Sequence, residues 1–203
     1  MPDRIDRRKE RTRQLLHKAL LELIEERGLE GITVSDLTQR AEINRGTFYL
    51  HYKDVPDMLD QSKMAFMQGL RERLMTLEVD GLIQKAAADE TDQNLVDVFA
   101  FIADHADLFR LLLGPGGDSF FGDQVVRLLK EHFYDKLLPL WQLEEARLNI
   151  PSDFLIAYVS AANLGFLQHW LETGMKQTPE QFARMVVRVV RTGPIHLGQD
   201  LPG

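Results

Sequence analysis

Nowhere in this chain do apolar and polar residues alternate cleanly over five or more positions. Nearly every segment instead repeats its apolar residues at three- and four-residue spacing. A half-buried strand needs a period of two, and a helix buried along one stripe needs a period of 3.6. The pattern predicts an all-α fold of about nine helices, without strands. Leu15, Leu16, Ala19, Leu20, Leu23 and Ile24 form the stripe of a first helix over 7–27, which Gly28 ends as a left-handed C-terminal residue. A short second helix is capped by Thr33 or Ser35 and runs to Arg40 or Ala41; a third covers 45–51. Asp54 caps a fourth, with Pro56 in its first turn, that runs to about Leu77. Further helices are expected over 92–112, 119–147 with a bend at Pro139, 152–174 and 179–192, the last capped by Thr178. Gly114-Pro115-Gly116-Gly117 reads as a loop, and the tail after Gly193 as a frayed end. Two domains are expected, 1–55 and 56–203.

The chain has no cysteine, which excludes disulfides and thiolate metal sites and fits a reducing, cytoplasmic setting. No apolar run approaches the roughly 18 residues that a membrane span needs. The N-terminus has no apolar stretch of signal-peptide type. A net charge of -7 argues against nucleic acid, but its distribution reverses that argument. Residues 1–53 carry 11 Lys and Arg against 9 Asp and Glu, and the remainder carries 13 against 22. A locally basic head on an acidic body would meet DNA head first. The basic arm of Arg4, Arg7, Arg8, Lys9, Arg11 and Arg13 is either a source of phosphate contacts or the solvated face of the first helix.

Residues 33–52, TVSDLTQRAEINRGTFYLHY, contain the second and third helical patterns with a three-residue break between them. Val34, Leu37, Ala41, Ile43 and Phe48 have the spacing of a small core shared by the two helices, and Ala41 permits their close crossing. The third helix then turns Arg45, Gly46, Thr47, Tyr49, Leu50 and His51 away from that core. This is the layout of a helix-turn-helix that reads the major groove of DNA. Gly46 lets the backbone approach the duplex, Arg45 can fork onto guanine, and Thr47 or Leu50 can touch a thymine methyl. Tyr49, His51 and Lys53 have the reach of phosphate donors, which set register rather than sequence. Phe48 is read as core, while Tyr49 and Tyr52 fit either core or DNA contact.

The run resembles the DNA-binding head of the TetR family of bacterial transcription regulators, whose pattern it matches at Thr33, Val34, Asp36, Leu37, Ala41, Gly46, Thr47, Tyr49 and His51. Ile43 and Tyr52 stand for the family's valine and phenylalanine. The resemblance covers about residues 8 to 60. It implies that Thr33, Thr47, Tyr49, His51 and Lys53 hold phosphates, and that Ser35, Arg45, Gly46 and Leu50 lie nearest the bases. Three departures stand out: Glu42 replaces the turn glycine, Asn44 replaces a serine and Val55 replaces a phosphate-binding lysine. Glu42 must then adopt a left-handed conformation or change the turn, while Asn44 can still cap the reading helix. Together they imply weaker DNA affinity, or a subfamily that works through a partner.

The same resemblance implies an all-α body whose last two helices pair with their copies in a homodimer. Phe154, Tyr158, Ala162 and Gly165 on one helix, and Phe182, Met185 and Val189 on the next, are the candidate interface. The alternative is that these faces are internal core. Phe99, Phe109, Phe120, Phe121, Trp141, Phe166, His169 and Trp170 could line an effector pocket, although such aromatic stripes also build cores. The pattern G-F-L-x-x-W-L-x-x-G at 165–174, followed by T-P-E-Q-F, looks like the branch of the family that includes activators of dihydroxyacetone kinase. No phosphate-binding loop, paired metal-ligand spacing or nucleophile–base arrangement stands out, so no enzyme activity, cofactor or metal is expected. The expected function is a ligand-responsive repressor that binds a palindromic double-stranded operator as a dimer. The alternative is a family-shaped interaction module or coactivator with weak DNA contact of its own.

Overall fold

The computed structural model describes residues 4–78, 81, 85, 90–113, 119–141 and 151–192. Among them are nine helices and no strand. The chain divides into two compact units, Met1–Ala65 and Phe66–Gly203.

The first unit is built on α1 (Arg4–Arg27), α2 (Val34–Arg40), α3 (Arg45–Tyr49) and the start of α4 (Val55–Met75). Leu16, Ala19, Leu20 and Leu23 of α1 are buried, as the apolar stripe predicts; Leu15 stands at its edge, 39% exposed. Gly28 ends the helix at φ 79, with its N–H on the Ile24 carbonyl. The core closes with Leu37, Ala41, Phe48, Tyr52, Val55, Met58 and Leu59, all buried. Val34 and Ile43, expected there too, are half-buried at its rim.

The second unit contains the rest of α4 with α5 (Gln93–Asp104), α6 (Ala106–Leu113), α7 (Ser119–Trp141), α8 (Ser152–Glu172) and α9 (Pro179–Thr192). The single helix expected over 92–112 is two. At His105 the backbone leaves the helical region (φ -113, ψ 20), and its Nδ1–H donates to the Phe101 carbonyl at 2.8 Å. That bond satisfies a carbonyl freed by the break. Asp92 caps α5, accepting from the N–H groups of Asn94 and Leu95. The part of the 119–147 expectation beyond Trp141, the 114–117 loop and the tail after Gly193 lie outside the described residues.

Two aromatic clusters fill this unit. Phe66 meets Phe109 edge-on (4.5 Å, 89°) with Phe121 beside both. Trp170 stacks on Phe182 (4.3 Å, 9°), and Phe99 meets Phe182 edge-on (4.8 Å, 88°). Edge-on and stacked pairs of this kind each add about 0.5–1.5 kcal/mol beyond area burial. Where α4 faces α5, Gly69 is the seat of Phe101: a Cβ at residue 69 would lie 2.6 Å from the ring. The Arg73 guanidinium lies over the same ring, 4.0 Å from its centroid. No helix among the described residues is long and apolar enough to cross a membrane.

Candidate nucleic-acid interface

The α2–turn–α3 segment is positioned by bonds readable one at a time. Thr33 caps α2: its Oγ1 accepts from the Asp36 N–H (3.2 Å), and Asp36 Oδ2 accepts from the Thr33 N–H (2.8 Å). The Thr33 hydroxyl donates to the same Oδ2 at 2.7 Å, and Arg27 approaches it at 2.7 Å. These bonds, the Thr33 hydroxyl first, hold the Asp36 carboxyl down at about 2. At the other end of α2, Arg40 forks onto both Glu26 oxygens (2.8 and 2.6 Å) and reaches Glu22 at 3.3 Å. Its hydrogen bond holds the Glu26 carboxyl below the usual range. A planar fork of this kind fixes orientation as well as distance, so α2 is tied to α1 at both ends.

The turn closes as a Schellman motif. The Ile43 N–H donates to the Thr38 carbonyl (3.0 Å) and the Glu42 N–H to Gln39 (3.3 Å). That geometry needs a left-handed residue, and Glu42 supplies it at φ 54, the first of the two outcomes its sequence position allowed. Asn44 then caps α3, accepting from the Gly46 N–H at 2.8 Å.

Phe48 is fully buried and anchors α3 from beneath. On the opposite side Arg45 and Gly46 are exposed, Tyr49 is 54% exposed and Leu50 is 83% exposed; Thr47 and His51 are half-buried at the margin. Tyr49 leans edge-on against Phe48 (5.6 Å, 90°) with its outer side in solvent. Tyr52 is buried, its ring at 6.5 Å from that of His17, and its hydroxyl lies 3.5 Å from His17 Nε2. Of the two tyrosines left open by the sequence, one faces outward and the other is core. Ser35 and Lys53 are also exposed. Thr33 is exposed too, but its hydroxyl proton is engaged by Asp36.

Burial first, then the charges of Arg13 and Lys9, push the His51 imidazole below its ordinary pKa. The same coupling puts those two cations within electrostatic reach of His51, just past the end of α3. The side chains of Arg4 and Arg7 lie outside the described residues; Arg8, Lys9, Arg11 and Arg13 are exposed. The pattern hid the Arg40 fork and the polar node where His17 Nε2 meets Ser62 Oγ at 2.9 Å. Both join residues 14 to 45 positions apart, a separation no local signal reveals.

In the second unit, Phe99, Phe109, Phe121 and Trp170 are buried in ring-to-ring contact. Phe166 is half-buried, His169 exposed and Phe120 59% exposed; the Trp141 side chain lies outside the described residues. Phe182 is corrected from interface to core, because at 2% exposure its ring is covered by Trp170, Phe99 and Phe166 of its own chain. Phe154 (68%), Tyr158 (57%), Ala162 and Gly165 form an exposed face of α8, with Met185 (39%) exposed and Val189 half-buried on α9. No group of three His, Asp or Glu residues among the described residues is arranged to hold a metal.

Comparison with known proteins agrees with this layout. The family model described as bacterial regulatory proteins, tetR family, matches residues 16–60, and that of the transcriptional regulator C-terminal region matches residues 89–192. The chain is 27% identical over 181 residues to the uncharacterized HTH-type transcriptional regulator YxbF of Bacillus subtilis (strain 168), covering 89% of this chain and 44% of that protein. To YvdT of the same organism it is 30% identical over 81 residues, covering 40% of this chain and 38% of that protein. The chain thus spans less than two thirds of the length of these curated relatives. Among solved structures, a TetR transcriptional regulator from Streptococcus agalactiae 2603V superposes with a TM-score of 0.55 at 22% identity, over 91% of this chain and 96% of that one. FadR from Bacillus subtilis, in complex with stearoyl-CoA, gives 0.57 at 16% identity over 89% and 98%. The dihydroxyacetone kinase operon activator DhaS gives 0.56 at 18% identity over 93% and 95%. These likenesses are of fold, and the two family models cover the reading head and most of the body: the chain belongs to the TetR family of transcriptional regulators.

Proposed function

We propose that this chain is a cytoplasmic regulator that binds a palindromic operator as a homodimer, and that an effector in its second unit alters operator affinity. One observation carries the DNA-binding part. A five-residue helix is anchored from beneath by Phe48 and presents Arg45, Gly46 and Tyr49 outward, with Leu50 exposed at its end and Lys9 and Arg13 within electrostatic reach of His51. Arg45 and Leu50 would read base edges. Tyr49, His51 and Lys53 would hold phosphates, with Thr47 at the margin and Ser35 at the start of α2. The exposed α8 face of Phe154, Tyr158, Ala162 and Gly165, with Met185 and Val189, would pair two copies. Effector response draws its support from FadR, a structural neighbour solved with stearoyl-CoA. Repression would be the default sign, since an operator-bound dimer obstructs transcription unless it also recruits.

The test is filter binding to an operator selected from random duplex, across a series of salt concentrations. A steep negative log–log salt slope is expected, and Lys53→Ala should reduce its magnitude by about one. Arg45→Ala should cost about 1–3 kcal/mol and relax preference at one base position. Uniform weakening with unchanged preference would remove Arg45 from the base-reading set.

A second reading, a coactivator with weak DNA contact, is favoured by two features. Val55 is buried in the head core, where the resemblance calls for a phosphate-binding lysine, and Glu42 puts an exposed carboxylate on the motif. It predicts little specific operator binding until a protein partner is added.

A further inference from the structure

Where the last turns of α4 run beside α7, the second unit opens into a cleft of about 550 Å³. Leu74, Met75 and Leu128 give it an apolar wall. Its charged lining is Arg71, Arg127 and Lys130 against Glu131 and Asp135. Arg71 is paired with Glu131 at 2.9 Å. Among the described residues, neither Arg127 nor Lys130 forms an ion pair, although they lie one turn apart on the same helix in a body with an acid excess.

His132 lines the same cleft and is 6% exposed, and its Nδ1 is sealed from solvent without a hydrogen-bond partner. Burial holds its pKa below the ordinary histidine value, so the ring is neutral and carries one N–H. Two cationic side chains of one helix, Arg127 and Lys130, thus line a hollow that also has an apolar wall.

We propose that this cleft binds a small organic monocarboxylate with an apolar body. The carboxylate lies against Arg127 and Lys130, and the body covers Leu74 and Met75. Charge balance selects one negative charge. Three cations against two carboxylates leave the lining one positive charge in excess, whereas a phosphate monoester brings ~1.5–2 negative charges and faces Glu131 and Asp135. The site rests on the effector-responsive reading and gives it a ligand class. It lies on the final turns of α4, the helix that begins in the DNA-reading unit.

The probe is 4-phenylbutanoate, with 4-phenylbutanol as its uncharged counterpart, in calorimetric titration of the full-length protein without DNA. The carboxylate should bind saturably below about 1 mM, and the alcohol at least about tenfold more weakly, as expected when a charge-assisted contact is lost. Arg127→Gln combined with Lys130→Gln should weaken the carboxylate by a similar factor with an unchanged helical circular dichroism spectrum. The imidazole resonance of His132, assigned with His132→Gln, should move during the titration. Equal binding of alcohol and carboxylate, undiminished binding by the double variant, a stationary His132 resonance, or no saturable binding would each overturn the proposal. None of these outcomes touches the operator reading. Conversely, an Arg45→Ala protein that binds operator as well as wild type, with carboxylate binding intact, would sink the operator reading and leave the cleft standing.

Discussion

Residue 42 shows how one backbone conformation can decide a motif. A glutamate at φ 54 carries a steric penalty that glycine does not, of about 1 kcal/mol for a single left-handed residue. Glu42→Gly should therefore raise stability by about 0.5–1 kcal/mol in urea denaturation, with an unchanged m-value; a destabilised variant would mean that Glu42 makes a compensating contact. Asp36 sets a second expectation. Its pKa of about 2 in the folded head lies below the ordinary aspartate value of about 3.9, so the folded state binds its proton more weakly. Its contribution is complete above pH ~4 and is lost as the pH falls towards 2. The urea midpoint should drop across that window. Asp36→Asn should flatten the drop and lower the midpoint at pH 7; an unaltered pH profile would show that Asp36 is not the responsible group. Arg45 and Leu50 were legible as outward residues because a short helix with one deep anchor leaves few other directions. The choice between Tyr49 and Tyr52 was not, since either ring can satisfy the spacing. The Tyr52 hydroxyl finds a polar neighbour in His17, 35 positions away.

Among the elements, the order of helices, the caps Thr33, Asn44 and Thr178, and the stop at Gly28 could all be read locally, because a cap or a stop is a bond between near neighbours. The break at His105 could not, because the apolar period runs through it without a proline or glycine to mark it. Phe182 was misplaced for a related reason. Period gives the apolar side of α9 but not which partner covers it, and here Trp170 of the same chain does. Exposure now separates the faces of the last two helices. Tyr158→Glu, at a site 57% exposed, should leave the fold intact and convert the proposed homodimer to monomer in sedimentation velocity. A dimer that survives this charge would move the pairing surface elsewhere. The same variant should lose operator affinity without any change in α3.

For the molecule as a whole, the proposed dimer would carry two reading heads on a two-fold axis to two half-sites about one helical turn apart, or 34–36 Å. Adding about 5 bp between half-sites turns one of them to the far side of the duplex and should abolish tight binding, whereas about 10 bp restores the facing. Indifference to spacer length would mean that each chain binds alone. Inside the second unit, the hydrogen-only gap at Gly69 has a mechanical consequence. The Phe101 ring of α5 sits against the backbone of α4 with a guanidinium of α4 over it, so it acts as a pin through the seam between two helices. Neither helix can slip lengthwise past the other without shearing that pin, and a displacement imposed on one is handed to its neighbour without backlash.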